Sequence, residues 1–194
     1  MHTTSSTADD IMTCARTLIV AGGYSGFSYA DIANVVGIRK PSIHHHFPTK
    51  AGLVRAVVIR YRQQTRAGLD HIETQNPDPV AQLQAYTAYW EACIANASVP
   101  FCVCALLAAE LPVLPAEIAA EVRAYFRMLS AWIASVIERG AKADRIRIVH
   151  PPHVEGEAFM ATVHGAMLSA RAYGDPQVFS LITAPLLTRI ASQS

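Results

Sequence analysis

The sequence predicts an all-α fold of nine helices. Three observations carry that reading. Apolar residues recur three and four positions apart almost everywhere, and strict alternation is scarce, so the periodicity is helical. Glycine and proline fall between the periodic segments and end them. The composition, 52% apolar and 16% charged over 194 residues, is that of a chain that buries a core.

The first helix begins at about Asp9 or Asp10, whose carboxylates suit a helix N-terminus, and passes Cys14, Leu18 and Ala21 to a stop at Gly22-Gly23. The second starts at Ser28, with Asp31 three residues on as a variant capping box, and carries Ile32, Ala33 and Val36 to Gly37. The third is short, with Pro41 in its first turn and Ile43 and Phe47 as apolar positions, and Pro48 breaks it. Thr49 caps a longer fourth helix from Lys50 to about Glu73, with Leu53, Val57, Tyr61 and Leu69 near one face. After a Pro-rich linker over residues 75–79, the fifth spans Val80 to about Asn96, with Leu83, Tyr86, Trp90, Cys93 and Ala97 at helical spacing, and Pro100 ends it.

The very apolar sixth helix runs from Phe101 to Leu111 and stops at Pro112 and Pro115. The seventh is long and amphipathic, about Ala116 to Gly140, striped by Ile118, Val122, Phe126, Leu129, Ile133 and Val136. A loop from Lys142 to Pro152 leads to the eighth, about His153 to Tyr173. The ninth spans Asp175 to Ser192, with Asp175 as cap and Pro176 in its first position. The longest uninterrupted apolar run, Phe101 to Ala109, is about half of the roughly 18 residues a spanning helix needs, so no membrane segment is expected. The amino terminus has no basic stretch before an apolar core, and the four cysteines, Cys14, Cys93, Cys102 and Cys104, form no CxxC pair; both point to the reducing cytoplasm.

The net charge of +1 hides an asymmetry. Residues 11–66 hold eight basic side chains against the single acid Asp31, a balance of +7, whereas residues from 76 onward hold eight basic and ten acidic ones, a balance of −2. One end is suited to a polyanion and the other is not. The +7 segment is centred on two short helices joined through Gly37, which supplies the left-handed conformation of a tight turn, with Ile38 packing between them. That is a helix-turn-helix, whose second helix enters the major groove with its N-terminal residues at base edges. Here that N-terminus offers Arg39, Lys40, Pro41 and Ser42, and the next turn offers His44 and His45. Ser28 and Tyr29 at the head of the unit and Lys50 after it complete the candidate DNA-binding set, which makes double-stranded DNA the expected partner.

The segment resembles the TetR family of transcriptional regulators in its Ile32-Ala33 dipeptide, Gly37-Ile38 turn, Ser42-Ile43, His45-His46-Phe47, Lys50 and Leu53. The match is specific over about residues 9–60, and the nine-helix layout agrees throughout. Three positions depart from the family pattern: His44 stands where a phosphate-binding Tyr is usual, Pro41 where Gly is common, and Arg39 where a small cap is usual. The resemblance implies a TetR-like architecture: a three-helix DNA-binding domain (residues 1–50), a connecting helix (51–75) and a helical ligand-binding and dimerisation domain (76–194). It also implies a homodimer, commonly a repressor, on a near-palindromic operator.

For the effector, the candidate lining is Tyr86, Trp90, Phe101 and Cys104, with Met128, Trp132, His164 and Met167. These residues suit a small, largely apolar molecule with one or two polar groups, because only the Tyr, Trp and His tips offer hydrogen bonds. For dimerisation, the eighth helix is rich in small residues and the ninth adds apolar ones. The candidate interface is Ala161, Gly165, Ala166 and Ser169 with Phe179, Ile182, Leu186 and Ile190. Two other readings stand beside this one: a thiol-responsive regulator of the same fold acting through Cys102 and Cys104, and a helical small-molecule carrier, which leaves the basic end idle. No cofactor is implied. No nucleophile with a neighbouring His and acid, no Gly-rich phosphate loop and no HExxH motif is present, so no enzyme is expected. The run His44-His45-His46 does not make a metal site, because successive helical residues point about 100° apart.

Overall fold

The computed structural model describes residues 6–96 and 101–191. These form nine α-helices: α1 Thr7–Gly22, α2 Tyr29–Val36, α3 Lys40–His46, α4 Lys50–Gln75, α5 Pro79–Ala95, α6 Val103–Ala109, α7 Ala116–Lys142, α8 Pro152–Tyr173 and α9 Gln177–Ile190, with a 3-10 turn at Leu111–Val113. The all-α class and the helix order are as the sequence predicts. The expectations placed on Ala97, Pro100 and Ser192 lie outside the described residues.

The boundaries differ in three informative places. Helix α1 starts at Thr7, ahead of the predicted Asp9, because the Ser6 hydroxyl accepts the Asp9 backbone N–H at 3.2 Å and so caps the helix two residues earlier. Helix α6 is shorter than predicted at both ends, and its C-terminal side gives way to the 3-10 turn at Pro112, which has no N–H to continue the ladder. At α9 the Asp175 carboxylate does accept the Gln177 N–H, at 2.9 Å, but Pro176 precedes the first helical residue.

The chain divides into two compact units, Met1–Gln64 with Val103–Tyr125, and Thr65–Cys102 with Phe126–Ser194. The sequence reading cut the chain at residues 50 and 75; contacts return 103–125 to the amino-terminal helices. In the first unit α1 packs against α2, α3 and α6 over a core that includes Ile11, Ala15, Ile32, Ile43 and Leu53. Glu110 closes the loop after α1, its carboxylate accepting the Tyr24 N–H at 2.8 Å. Gly23 beside it has φ +74°, a backbone that favours glycine, and a Cβ there would lie 2.0 Å from Glu110 Oε1, so any side chain would displace that carboxylate from Tyr24.

In the second unit α9 packs against α8 and α5. Gly156 lets α8 approach α7 closely: a Cβ there would lie 3.1 Å from the Ala134 nitrogen. The loop after α7 is tied to the end of α9 by the Arg147 N–H donating to the Ile190 carbonyl at 2.9 Å, beside an isolated bridge between Ile146 and Ala191.

Helix α2 is only eight residues long and depends on its start. Ser28 and Asp31 form a full capping box: the Ser28 hydroxyl accepts the Ala30 N–H at 3.2 Å, and the Asp31 carboxylate accepts the Ser28 N–H at 2.7 Å. Hydrogen bonds from the Ser28 side chain and backbone hold the Asp31 carboxyl below its ordinary value. A depressed carboxylate stabilises the fold above its unfolded pKa, and that contribution is lost as the pH falls through the folded value. We therefore expect Ser28→Ala to lower stability by about 1 kcal/mol at neutral pH and to flatten the acid limb of the stability profile. Denaturant melts of both proteins from neutral pH into the acid range check this; parallel profiles would mean the box carries no stability.

Candidate functional site

The helix-turn-helix is built by a turn, an anchor and a strut. At the turn Gly37 sits at φ 75°, ψ 30°, and the Gly37 and Ile38 N–H groups both donate to the Ala33 carbonyl, at 3.0 and 3.1 Å, which ends α2 in the left-handed conformation that sequence reasoning assigned to Gly37. The anchor is Ile43, the fully buried residue of α3. The strut is Tyr29, whose hydroxyl donates to the Phe47 carbonyl at 2.8 Å while its ring meets His44 edge-on at 4.8 Å. Burial pushes the Tyr29 phenol up to about 12, so it stays protonated and keeps donating.

The candidate DNA-binding residues therefore separate into two groups. Ser28, Tyr29 and Lys50 have donors engaged within the protein. Ser28 is held in the capping box. Lys50 donates to the Phe27 carbonyl and lies over the Tyr24 and Phe27 rings, its ammonium 5.0 and 4.2 Å from their centroids. Burial draws the Lys50 pKa down, against the opposing pull of Asp31 and Glu110. Arg39, Lys40, Pro41, His44 and His45 are exposed and Ser42 half-buried. Arg39 is the N-cap of α3 and makes no side-chain cap bond, and neither it nor Lys40 forms an ion pair among the described residues. His44 Nδ1 lies 3.4 Å from the Pro48 carbonyl, leaving Nε2 turned away from that partner.

About half of the remaining positive charge in this segment is offset by paired carboxylates. Arg55 and Arg62 both pair with Glu121, at 3.4 and 3.1 Å; Arg60 pairs with Asp9 at 2.7 Å and Arg66 with Asp70 at 2.9 Å. Arg16 stacks over Tyr61 at 5.1 Å. Sequence reasoning did not single out Glu110, which directly follows the apolar run Phe101 to Ala109. Nothing local marks it, because its partner Tyr24 lies 86 residues away.

Among the candidate effector residues, Tyr86 and Trp90 lie one turn apart on the buried face of α5, and the Tyr86 ring is 5.8 Å from that of Trp132 on α7. The Tyr86 hydroxyl and the Trp90 and Trp132 indole nitrogens are buried without a hydrogen-bond partner among the described residues, as is His164 Nε2. Each such group costs about 1–3 kcal/mol relative to its satisfied state. His164 lies against Phe126 at 5.3 Å, the Arg171 guanidinium is 5.4 Å over the Phe101 ring, Met167 is buried and Met128 half-buried. Cys104 is buried and belongs to the first compact unit. The first unit carries an open groove of about 430 Å³ between α1 and α2, lined by Thr13, Cys14, Leu18, Val35 and Val36, which the sequence did not single out.

Of the candidate interface residues, Ala161 and Gly165 are exposed and Ser169, Ile182 and Leu186 half-buried, while Ala166, Phe179 and Ile190 are buried within the protomer. The exposed face of α8 is the stripe Val154, Ala158, Ala161, Gly165, Leu168 and Ala172, spaced three and four apart, and α9 exposes Leu181 beside Ala184. Among the described residues no helix is long and apolar enough to cross a membrane, and no three His, Cys, Asp or Glu side chains are grouped to hold a metal.

Residues 11–57 match the model of the bacterial regulatory proteins of the tetR family, and residues 79–184 match that of a tetracyclin repressor-like C-terminal domain. No curated protein matches. A TetR-family transcriptional regulator from Agrobacterium tumefaciens is 57% identical, with 95% of this chain and 97% of that one covered and a TM-score of 0.94. A TetR regulator from Legionella pneumophila is 25% identical, covering 97% and 99% of the two chains at a TM-score of 0.88. AibR, solved in complex with isovaleryl coenzyme A and operator DNA, shares the fold at 20% identity, 82% and 85% coverage and a TM-score of 0.68. With both segments matched and an experimentally solved relative of this identity along nearly its whole length, the chain belongs to the TetR family of DNA-binding, helix-turn-helix transcriptional regulators.

Proposed function

We propose that this regulator is a cytoplasmic homodimeric repressor that binds a near-palindromic operator and leaves it when a small, largely apolar ligand binds. The observation that carries the DNA half is the exposed N-terminus of α3, where Arg39 and Lys40 have no ion-pair partner among the described residues. Phosphate oxygens and guanine edges offer the acceptors such donors need. The division of labour follows the chain: residues 1–50 meet DNA, 51–75 connect, and 76–194 bind the effector and the second copy. The apolar stripe on α8 supports the dimer, because exposed apolar residues at helical spacing are costly in water and self-complementary across a two-fold axis. A two-fold dimer sets two recognition helices about one DNA turn apart, hence the palindrome. A ligand that favours a different spacing of those helices shifts the population off DNA, and a tenfold loss of operator affinity needs only about 1.4 kcal/mol of differential binding.

Fluorescence anisotropy on operator DNA across a salt series tests the DNA half. The log affinity should fall with log salt by about 0.9 per neutralised phosphate, and Arg39→Ala or Lys40→Ala should relax base preference at a cost of about 1–3 kcal/mol where either reads a guanine. Equal weakening on every sequence assigns them to phosphate alone, and no duplex binding removes the reading in favour of a carrier. For the dimer, Leu168→Glu combined with Leu181→Glu should convert it to monomer in sedimentation at micromolar concentration; a monomeric parent protein overturns the proposal.

A further inference from the structure

Three of the unpartnered groups in the second unit form a set whose chemistry is one-sided. Tyr86, Trp90 and Trp132 are each only 3–4% exposed. An indole N–H donates and never accepts, so the trio holds three donor hydrogens and a single acceptor atom, the Tyr86 oxygen. The Trp90 indole lies beside that oxygen without closing a good hydrogen bond. Even if both indoles turned to it, the Tyr86 hydroxyl hydrogen would still lack an acceptor within the trio. The neighbouring Thr87 hydroxyl sends its hydrogen to the Leu83 and Gln84 carbonyls of its own helix, and no hydrogen bond joins it to the Tyr86 hydroxyl. Burial raises the Tyr86 pKa, so the phenol stays a donor.

We propose that this trio is the polar end of the effector site and selects an uncharged ligand bearing a carbonyl oxygen, such as a ketone, ester or lactone on an apolar body. The inference rests on the reading that the C-terminal domain binds an effector. A carbonyl brings the lone pairs the trio lacks and no hydrogen of its own. An amine or alcohol brings further donors to a place already short of acceptors. A carboxylate brings a full charge, and none of the three side chains carries a positive one to offset its desolvation.

The protein's two tryptophans are both in the trio, so tryptophan emission, excited to the red of tyrosine absorption, reports this site. The probes are cyclohexyl methyl ketone and its near-isosteres ethylcyclohexane, 1-cyclohexylethylamine and cyclohexanecarboxylate, with the ketone's weak n→π* absorption and collisional quenching corrected against free N-acetyltryptophanamide. The ketone should shift the emission saturably and bind about tenfold more tightly than any of the other three, and Tyr86→Phe should remove most of its advantage over the hydrocarbon. The same substitution should leave the melting temperature of the ligand-free protein unchanged or raise it, because it deletes an unsatisfied group while keeping the ring. Equal affinity for ketone and hydrocarbon, tighter carboxylate or amine binding, no saturable shift with the ketone, or a lowered melting temperature in the Tyr86→Phe protein each overturns the proposal. Operator affinity measured in the same titrations keeps the two readings apart. Ketone binding without DNA release removes the effector role and leaves the site. Release by a compound that leaves both tryptophans unperturbed removes the site and leaves the effector role.

Discussion

A helix of seven residues does not persist in water by itself, and α3 is such a helix. It forms because Ile43 is fully buried beneath it and because Tyr29 reaches from α2 to hold the carbonyl of Phe47 at its C-terminal end. Tyr29 is in turn the first residue of a helix fixed by Ser28 and Asp31. The capping box, the tyrosine and the buried isoleucine are thus links in one chain of dependence, and its last member is the orientation of Arg39 and Lys40. Lys50 and Glu110 brace the same unit from the other side, through the Phe27 carbonyl and the Tyr24 N–H.

The charge asymmetry behaves differently in three dimensions from its linear count. The balance of +7 over residues 11–66 is a property of where the window is drawn. Asp9 lies just before that window, while Asp70 and Glu121 lie beyond it, and these three carboxylates pair with Arg60, Arg66 and the couple Arg55 and Arg62, offsetting three of the four charges. Arg39 and Lys40 at the head of α3 are the exposed charges of that window that pair with no acid among the described residues and that no ring or carbonyl engages. The exposed ion pairs contribute little to stability, so their main consequence is electrostatic. They remove competing positive surface and leave the DNA-facing charge localised.

Features set by neighbours in sequence were legible: the Gly37 turn, the Ser28–Asp31 box, the proline breaks and the apolar spacing of Ile32, Ile43 and Leu53. Features set by distant neighbours were not. Glu110 gave no signal because its partner is 86 residues away. The small residues of α8 were visible as a class, but sequence alone could not say that Gly156 faces Ala134 of the same protomer while Gly165 faces open space. The polar tips of Ser28, Tyr29 and Lys50 likewise read as free donors until their internal acceptors were seen. Proline and capping chemistry also placed helix ends to within a few residues, and the misses at α1 and α6 came from a serine cap and a 3-10 turn that compete locally with continuation of the helix.

The residues that hold α3 and the residues it presents are different residues. Ile43, Tyr29 and Phe47 carry the packing; Arg39, Lys40, His44 and His45 stand in solvent, and His44 meets the Tyr29 ring edge-on. Change at positions 39 and 40 is therefore nearly free of any folding penalty, whereas change at the supports is not. A gene duplicate of this protein has an open path to a new operator through a few surface substitutions, each intermediate remaining folded while the target sequence drifts.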